Sequence, residues 1–109
     1  MNTVLPTIEE LRHDLLNECD RVIHTLNIGN IVEIDAFSIS AINRHSDREA
    51  WQIIQIPTFL ELRGKLVPCN KSFKFRAYDG TTCNLHKDRA IWLLFKGDIT
   101  ILPKDRVVI

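Results

Sequence analysis

Apolar residues recur at Ile8, Leu11, Leu15, Leu16, Cys19, Val22, Ile23 and Leu26, three or four positions apart, which draws a single stripe along a helix. The same stretch carries its own start and stop. Thr7-Ile8-Glu9-Glu10 has the form of a capping box, Pro6 lies just before it, and Gly29 follows the last apolar position. Glu9, Glu10 and Asp14 sit toward the positive end of the helix dipole, and Arg21 and His24 toward the negative end. The spacing predicts a helix from about Ile8 to Leu26.

From Asn30 the period falls to two. Val32, Ile34 and Ala36 alternate with Glu33 and Asp35, then the apolar phase slips by one and Phe37, Ile39 and Ala41 alternate with Ser38 and Ser40. A bulge near Ala36 would absorb the slip, and Asn43 to Asp47 reads as a turn. Residues 49–56 admit two readings. Ser46-Asp47-Arg48-Glu49 could cap a short helix, but Trp51 to Ile56 is rich in β-branched residues, and a helix ending before Pro57 would be marginal in length, so a strand is favoured.

Phe59 to Val67 is expected to be one strand kinked at Gly64. Asp79-Gly80 marks a hairpin, and a three-residue loop of Asp79, Gly80 and Thr81 keeps the faces matched by setting Phe75 opposite Leu85 and Ala77 opposite Cys83. Ala90 to Phe95 is apolar at every position, as expected of a central strand; Gly97-Asp98 connects it to a strand from Ile99 to Leu102, and Pro103 to Arg106 turns into a last strand, Val107 to Ile109. The expected fold class is α+β: one N-terminal amphipathic helix packed on a curved, mainly antiparallel sheet of five to seven strands, open or closed into a small barrel.

With 109 residues, 45% apolar and 26% charged, the chain has the length and composition of one soluble domain, residues 1–109, and not of a disordered or membrane-spanning protein. Fourteen basic residues balance fourteen acidic ones, but the two are unevenly spread. Met1 to Leu62 holds four bases against ten acids, a net of −6, whereas Arg63 to Lys96 holds eight against two, a net of +6. Cys19, Cys69 and Cys83 cannot all pair, and none lies in a C-x-x-C, which fits a reducing compartment. The longest apolar run is six residues and no leader pattern opens the chain, so a cytoplasmic location is expected, with no membrane partner.

Candidate chemistry is sparse. Cys83-Asn84-Leu85-His86, near Asp79 and Asp88, mixes a thiol, an imidazole and carboxylates, but positions three apart on a strand face opposite ways, so Cys83 and His86 are expected to share neither a reaction nor a metal. The same reasoning leaves no metal ligand set, and the four scattered glycines offer no phosphate loop, so no cofactor is expected. His13 and His24 are separated by about 16 Å of helix, Asp20 and His24 can pair on its surface, and His45 sits in a polar turn. Ser72 to Tyr78 interleaves rings and cations, with Phe73 and Phe75 on one face and Lys74, Arg76 and Tyr78 on the other; Arg63, Lys65 and Lys71 could join the second set as a surface for nucleic acid or another anion. The reading favoured by this balance is a small, non-catalytic interaction or regulatory protein acting through a sheet edge or a charged face. Its first expected partner is itself, as a homodimer through the apolar edge Val107, Val108 and Ile109, or another protein. Nucleic-acid binding by segment 63–96 and an enzyme site assembled from distant residues are the alternatives.

Overall fold

The structure, a computed structural model, describes residues 5–35 and 48–103. The elements are α1 (Ile8–Ile23), β1 (Ile31–Asp35), β2 (Arg48–Gln55), β3 (Thr58–Leu62), β4 (Lys65–Asn70), β5 (Ser72–Ala77), β6 (Thr82–His86), α2 (Lys87–Lys96) and β7 (Ile99–Ile101). Among the described residues five strands form an antiparallel sheet in the order β6-β5-β2-β1-β7, and β3 pairs with β4 as a separate ribbon. The class is α+β as expected. The sheet is open, so the barrel alternative does not apply. Among the described residues no helix is long and apolar enough to cross a membrane.

α1 begins where the sequence places it. The Glu10 amide donates to Thr7 Oγ1 at 3.1 Å, and the Thr7 amide donates to Glu10 Oε2 at 3.3 Å, which closes the capping box. Its apolar stripe, however, is covered progressively toward the C-terminal end, with Leu16, Cys19 and Val22 half-buried. Ile23 and Leu26 are buried, while Ile8, Leu11 and Leu15 are exposed. β1 and β2 pair as alternation requires, with Val32 opposite Trp51 and all of Val32, Ile34, Trp51 and Ile53 buried on one face. The favoured strand at 49–56 is the one observed. The phase slip near Ala36, the turn at 43–47, His45, and the edge Val107–Ile109 lie outside the described residues.

Three expectations are corrected. First, Ala90 to Phe95 is not a strand but the body of α2. A short apolar run fits either a buried strand or a buried helix, and here the flanks decide. The Asp88 amide donates to His86 Nδ1 at 3.1 Å, Asp88 and Lys96 complement the dipole, and Gly97 at φ 86° closes the C-terminal end, its amide bonding back into the last turn. Ala90 and Leu93 reach zero exposure, Ile91 and Leu94 are half-buried, and Trp92 faces solvent, which is helical periodicity. α2 lies on the sheet against β5, β6 and β7, and α1 leans on α2. Second, Phe59 to Val67 is a hairpin, because Arg63 at φ 52° and Gly64 at φ 75° form a tight two-residue turn of the kind whose twist suits adjoining strands. Third, the β5–β6 loop has three residues but is shifted. The amide of Ala77 donates to the Thr81 carbonyl and that of Gly80 to the Ala77 carbonyl, so the loop is Tyr78, Asp79 and Gly80, with Phe75 opposite Cys83 and Phe73 opposite Leu85. The shift of two residues preserves the faces.

One apolar cluster unites Val32, Ile34, Trp51, Ile53, Phe73, Phe75, Ala77, Cys83, Leu85 and Ile99 of the sheet with Ala90 and Leu93 of α2 and Ile23 and Leu26 at the end of α1. The helical phase of α2 can be tested directly. Leu93→Ala is expected to cost about 2–4 kcal/mol of unfolding free energy, and Trp92→Ala under about 1 kcal/mol, measured by urea titration. Equal costs would return the segment to a strand buried on both faces.

Candidate functional site

The five cations and the ring singled out from the sequence fall into three places. Arg63 forms the apex turn of the β3–β4 ribbon, and Lys65 stands beside it at the start of β4. Lys71 joins the ribbon to β5, and its carbonyl accepts from the Lys87 amide at the start of α2. Lys74 and Arg76 lie on the outer face of β5, next to the exposed Tyr78. Arg76 donates to Gln52 Oε1 at 3.4 Å, and these two side chains with Ile31 and Tyr78 border a shallow depression of about 210 Å³. The same face carries Glu33 and Asp35 on β1, since Val32 and Ile34 point inward. The outer surface therefore presents both signs of charge.

The thiol and imidazole singled out on β6 part as the strand period requires. Cys83 is buried, and His86 is exposed. His86 serves α2 as its N-terminal cap, and Asp79 Oδ1 accepts from the Thr81 amide at 2.9 Å to brace the β5–β6 loop. His24 stands 3.7 Å from Asp20 on the surface of α1. Among the described residues no group of three or more His, Cys, Asp or Glu side chains is placed to hold a metal ion. A groove of about 770 Å³ lies between the end of α1 and β7; the described residues that border it, among them Leu26, Ile28, Ile31, Ile101 and Leu102, are all uncharged.

What the sequence reading missed is the surface exposure of two apolar elements. The first is the β3–β4 ribbon. Leu60 lies opposite Val67 and Leu62 opposite Lys65 on one face; Phe59 lies opposite Pro68 and Leu66 opposite Glu61 on the other. Leu60, Leu62 and Leu66 are 51%, 52% and 73% exposed, and among the described elements the ribbon's substantial contacts are between its own strands. It is a projecting arm with apolar side chains on both faces. Its root is fixed, because Asn70 Nδ2 donates to the carbonyls of Ile56 at 3.0 Å and Ser72 at 3.2 Å while Oδ1 accepts from the Ser72 amide at 3.1 Å. Phe59 turns toward the body, beside Lys71, His86 and Lys87. The second element is the N-terminal half of α1, where Ile8 is 74% and Leu15 54% exposed. A single kinked strand over Phe59 to Val67, as the sequence suggests, carries no sign that the segment stands apart from the sheet.

The cysteines probe this arrangement. Cys69, on β4 of the arm, is exposed; Cys19 is half-buried on α1; Cys83 is in the core. Burial pushes the Cys19 thiol up, and the neighbouring Glu18 carboxylate adds to the effect, so less reactive thiolate forms at neutral pH. Brief alkylation read by mass spectrometry is expected to modify Cys69 first, Cys19 slowly and increasingly as pH rises, and Cys83 last. Modification of Cys19 as fast as Cys69 would show that α1 does not seat on the body at that turn. Comparison with models of known protein families, with curated proteins and with solved structures finds no match for this chain.

Proposed function

We propose that this is an interaction protein whose β3–β4 arm docks on another polypeptide, with a second copy of the chain as the first partner to consider. The carrying observation is the arm itself, a ribbon apolar on both faces and outside the core. Isolated two-stranded ribbons are marginal in water, and an exposed apolar surface that projects from a folded body is the usual mark of a contact site. The body does not need it. β2 and β5, which flank the arm in sequence, pair directly with each other, so the arm is an elaboration of the connection between two adjacent strands.

Two further details support docking. Asn70 holds the root, so little conformational freedom is left to lose on binding. Arg63 occupies a left-handed conformation that asparagine or glycine adopts more easily, and such strain tends to gather at working sites. Burying Phe59, Leu60, Leu62, Leu66 and Val67 from half exposure would contribute on the order of 1 kcal/mol each.

A single-stranded nucleic acid on the outer sheet face is the second reading, supported by Lys74 and Arg76 beside Tyr78. Glu33 and Asp35 on the same face oppose it. If it holds, Lys74→Ala with Arg76→Ala will reduce the slope of log affinity against log salt by about 1.4; no binding at low ionic strength removes this reading.

For the arm, Leu60→Ser with Leu62→Ser is expected to leave the unfolding free energy of dilute protein within about 1 kcal/mol of the parent while abolishing association in sedimentation or cross-linking. A loss of stability as deep as that of a core truncation would place the arm inside the folding unit and end this reading.

A further inference from the structure

Two exposed apolar elements on one chain carry opposite charge. The strands of the arm are five and six residues long, about 17–20 Å. The exposed part of the α1 stripe, Ile8, Leu11 and Leu15, rises about 11 Å and fits along the outer portion of such a ribbon. The arm face left free by the inward turn of Phe59 carries Leu60, Leu62 and Val67, with Lys65 on the same face and Arg63 at its apex. The arm's charges are Arg63, Lys65 and, at the root, Lys71 against Glu61 alone, whereas α1 has Glu9, Glu10, Asp14, Glu18 and Asp20 against Arg12 and Arg21. Asp14 and Glu18 stand one turn apart beside Leu11 and Leu15. Within one chain the two elements do not pack together: α1 leans on α2, and the arm contacts chiefly itself.

We propose that two copies exchange arms, each β3–β4 ribbon lying along the exposed α1 stripe of the other copy with its cations beside Asp14 and Glu18. This rests on the reading of the arm as a docking element and names the partner. A two-fold pairing satisfies both surfaces at once, since each copy gives an arm and receives one, and closure leaves no arm free to extend the chain of contacts. The opposed charges of the two halves of the sequence then meet between copies.

Charge reversal tests the pairing on the full-length protein. Chain one carries Arg63→Glu and Lys65→Glu; chain two carries Asp14→Lys and Glu18→Lys. All four residues are exposed; Glu18→Lys also removes the pair in which Arg21 donates to Glu18 at 2.7 Å, and thermal unfolding serves as the check that each chain folds. Each variant alone sets like charges against each other and is expected to raise the dimer dissociation constant about 100-fold, measured by sedimentation equilibrium. The equimolar mixture restores opposite signs at both contacts and is expected to form the mixed dimer, seen by native mass spectrometry, with near-parental affinity. A parent that stays monomeric at about 100 times a micromolar concentration overturns the exchange, and the serine substitutions then decide separately whether the arm serves a different partner. A parental dimer whose variants bind no less tightly, or whose mixture fails to recover, overturns the pairing of arm with helix.

Discussion

The apolar face of the five-stranded sheet has to be kept from water, and α2 is what covers it. Trp51, Ile53, Phe73 and Phe75 form the broad centre of that face, and Ala90 and Leu93 come down on it from one helix only ten residues long. The small side chain of Ala90 lets the helix approach closely, and Leu93 fills the space one turn on. Everything else is arranged around this contact. β1 and β7 extend the sheet on one side and β5 and β6 on the other, while α1 reaches the core only through its last turn, where Ile23 and Leu26 meet the same cluster. Because so much of the burial is done by α2, the rest of α1 is not called upon to cover the sheet and can present its stripe outward.

The same division explains the arm. A sheet with one covered face needs only a short connection between β2 and β5, yet the chain spends the residues from Thr58 to Asn70 on a ribbon that contributes nothing to the core. Its side chains are those of a protein interior placed at the surface. In α1 and the arm, hydrophobic free energy that a folded monomer would normally collect is left uncollected, and the opposite charges beside these surfaces bias where it can be recovered.

Legibility followed the physical strength of each local signal. The start of α1 could be read because a capping box names both partners of its hydrogen bonds, and β1, β5 and β6 because alternation assigns each residue a face. α2 could not, since six consecutive apolar residues carry no period, and its cap is a histidine ring nitrogen in place of the usual hydroxyl or carboxylate. The hairpin at Arg63-Gly64 was read as a kink because arginine seldom enters the left-handed region. For the candidate site, the cations were identified by type, but their separation into apex, root and sheet depends on that missed turn. The apolar residues of the arm are visible as letters, but a pattern cannot distinguish a strand within the sheet from one that projects beyond it.

The order of the strands also has a consequence for synthesis. β1 pairs with β7, the last described strand, and the helix that covers the sheet immediately precedes it. A chain emerging from the ribosome can assemble β1, β2, β5 and β6 in sequence, yet must wait until Lys87–Lys96 has emerged before α2 can cover them. For that interval the nascent sheet offers its aromatic face to the surroundings with no lid of its own. Chaperone demand should therefore peak between the emergence of β5 and that of α2, and a polypeptide stalled before Lys87 would be a sticky fragment even though most of its hydrogen-bonded ladder is already in place.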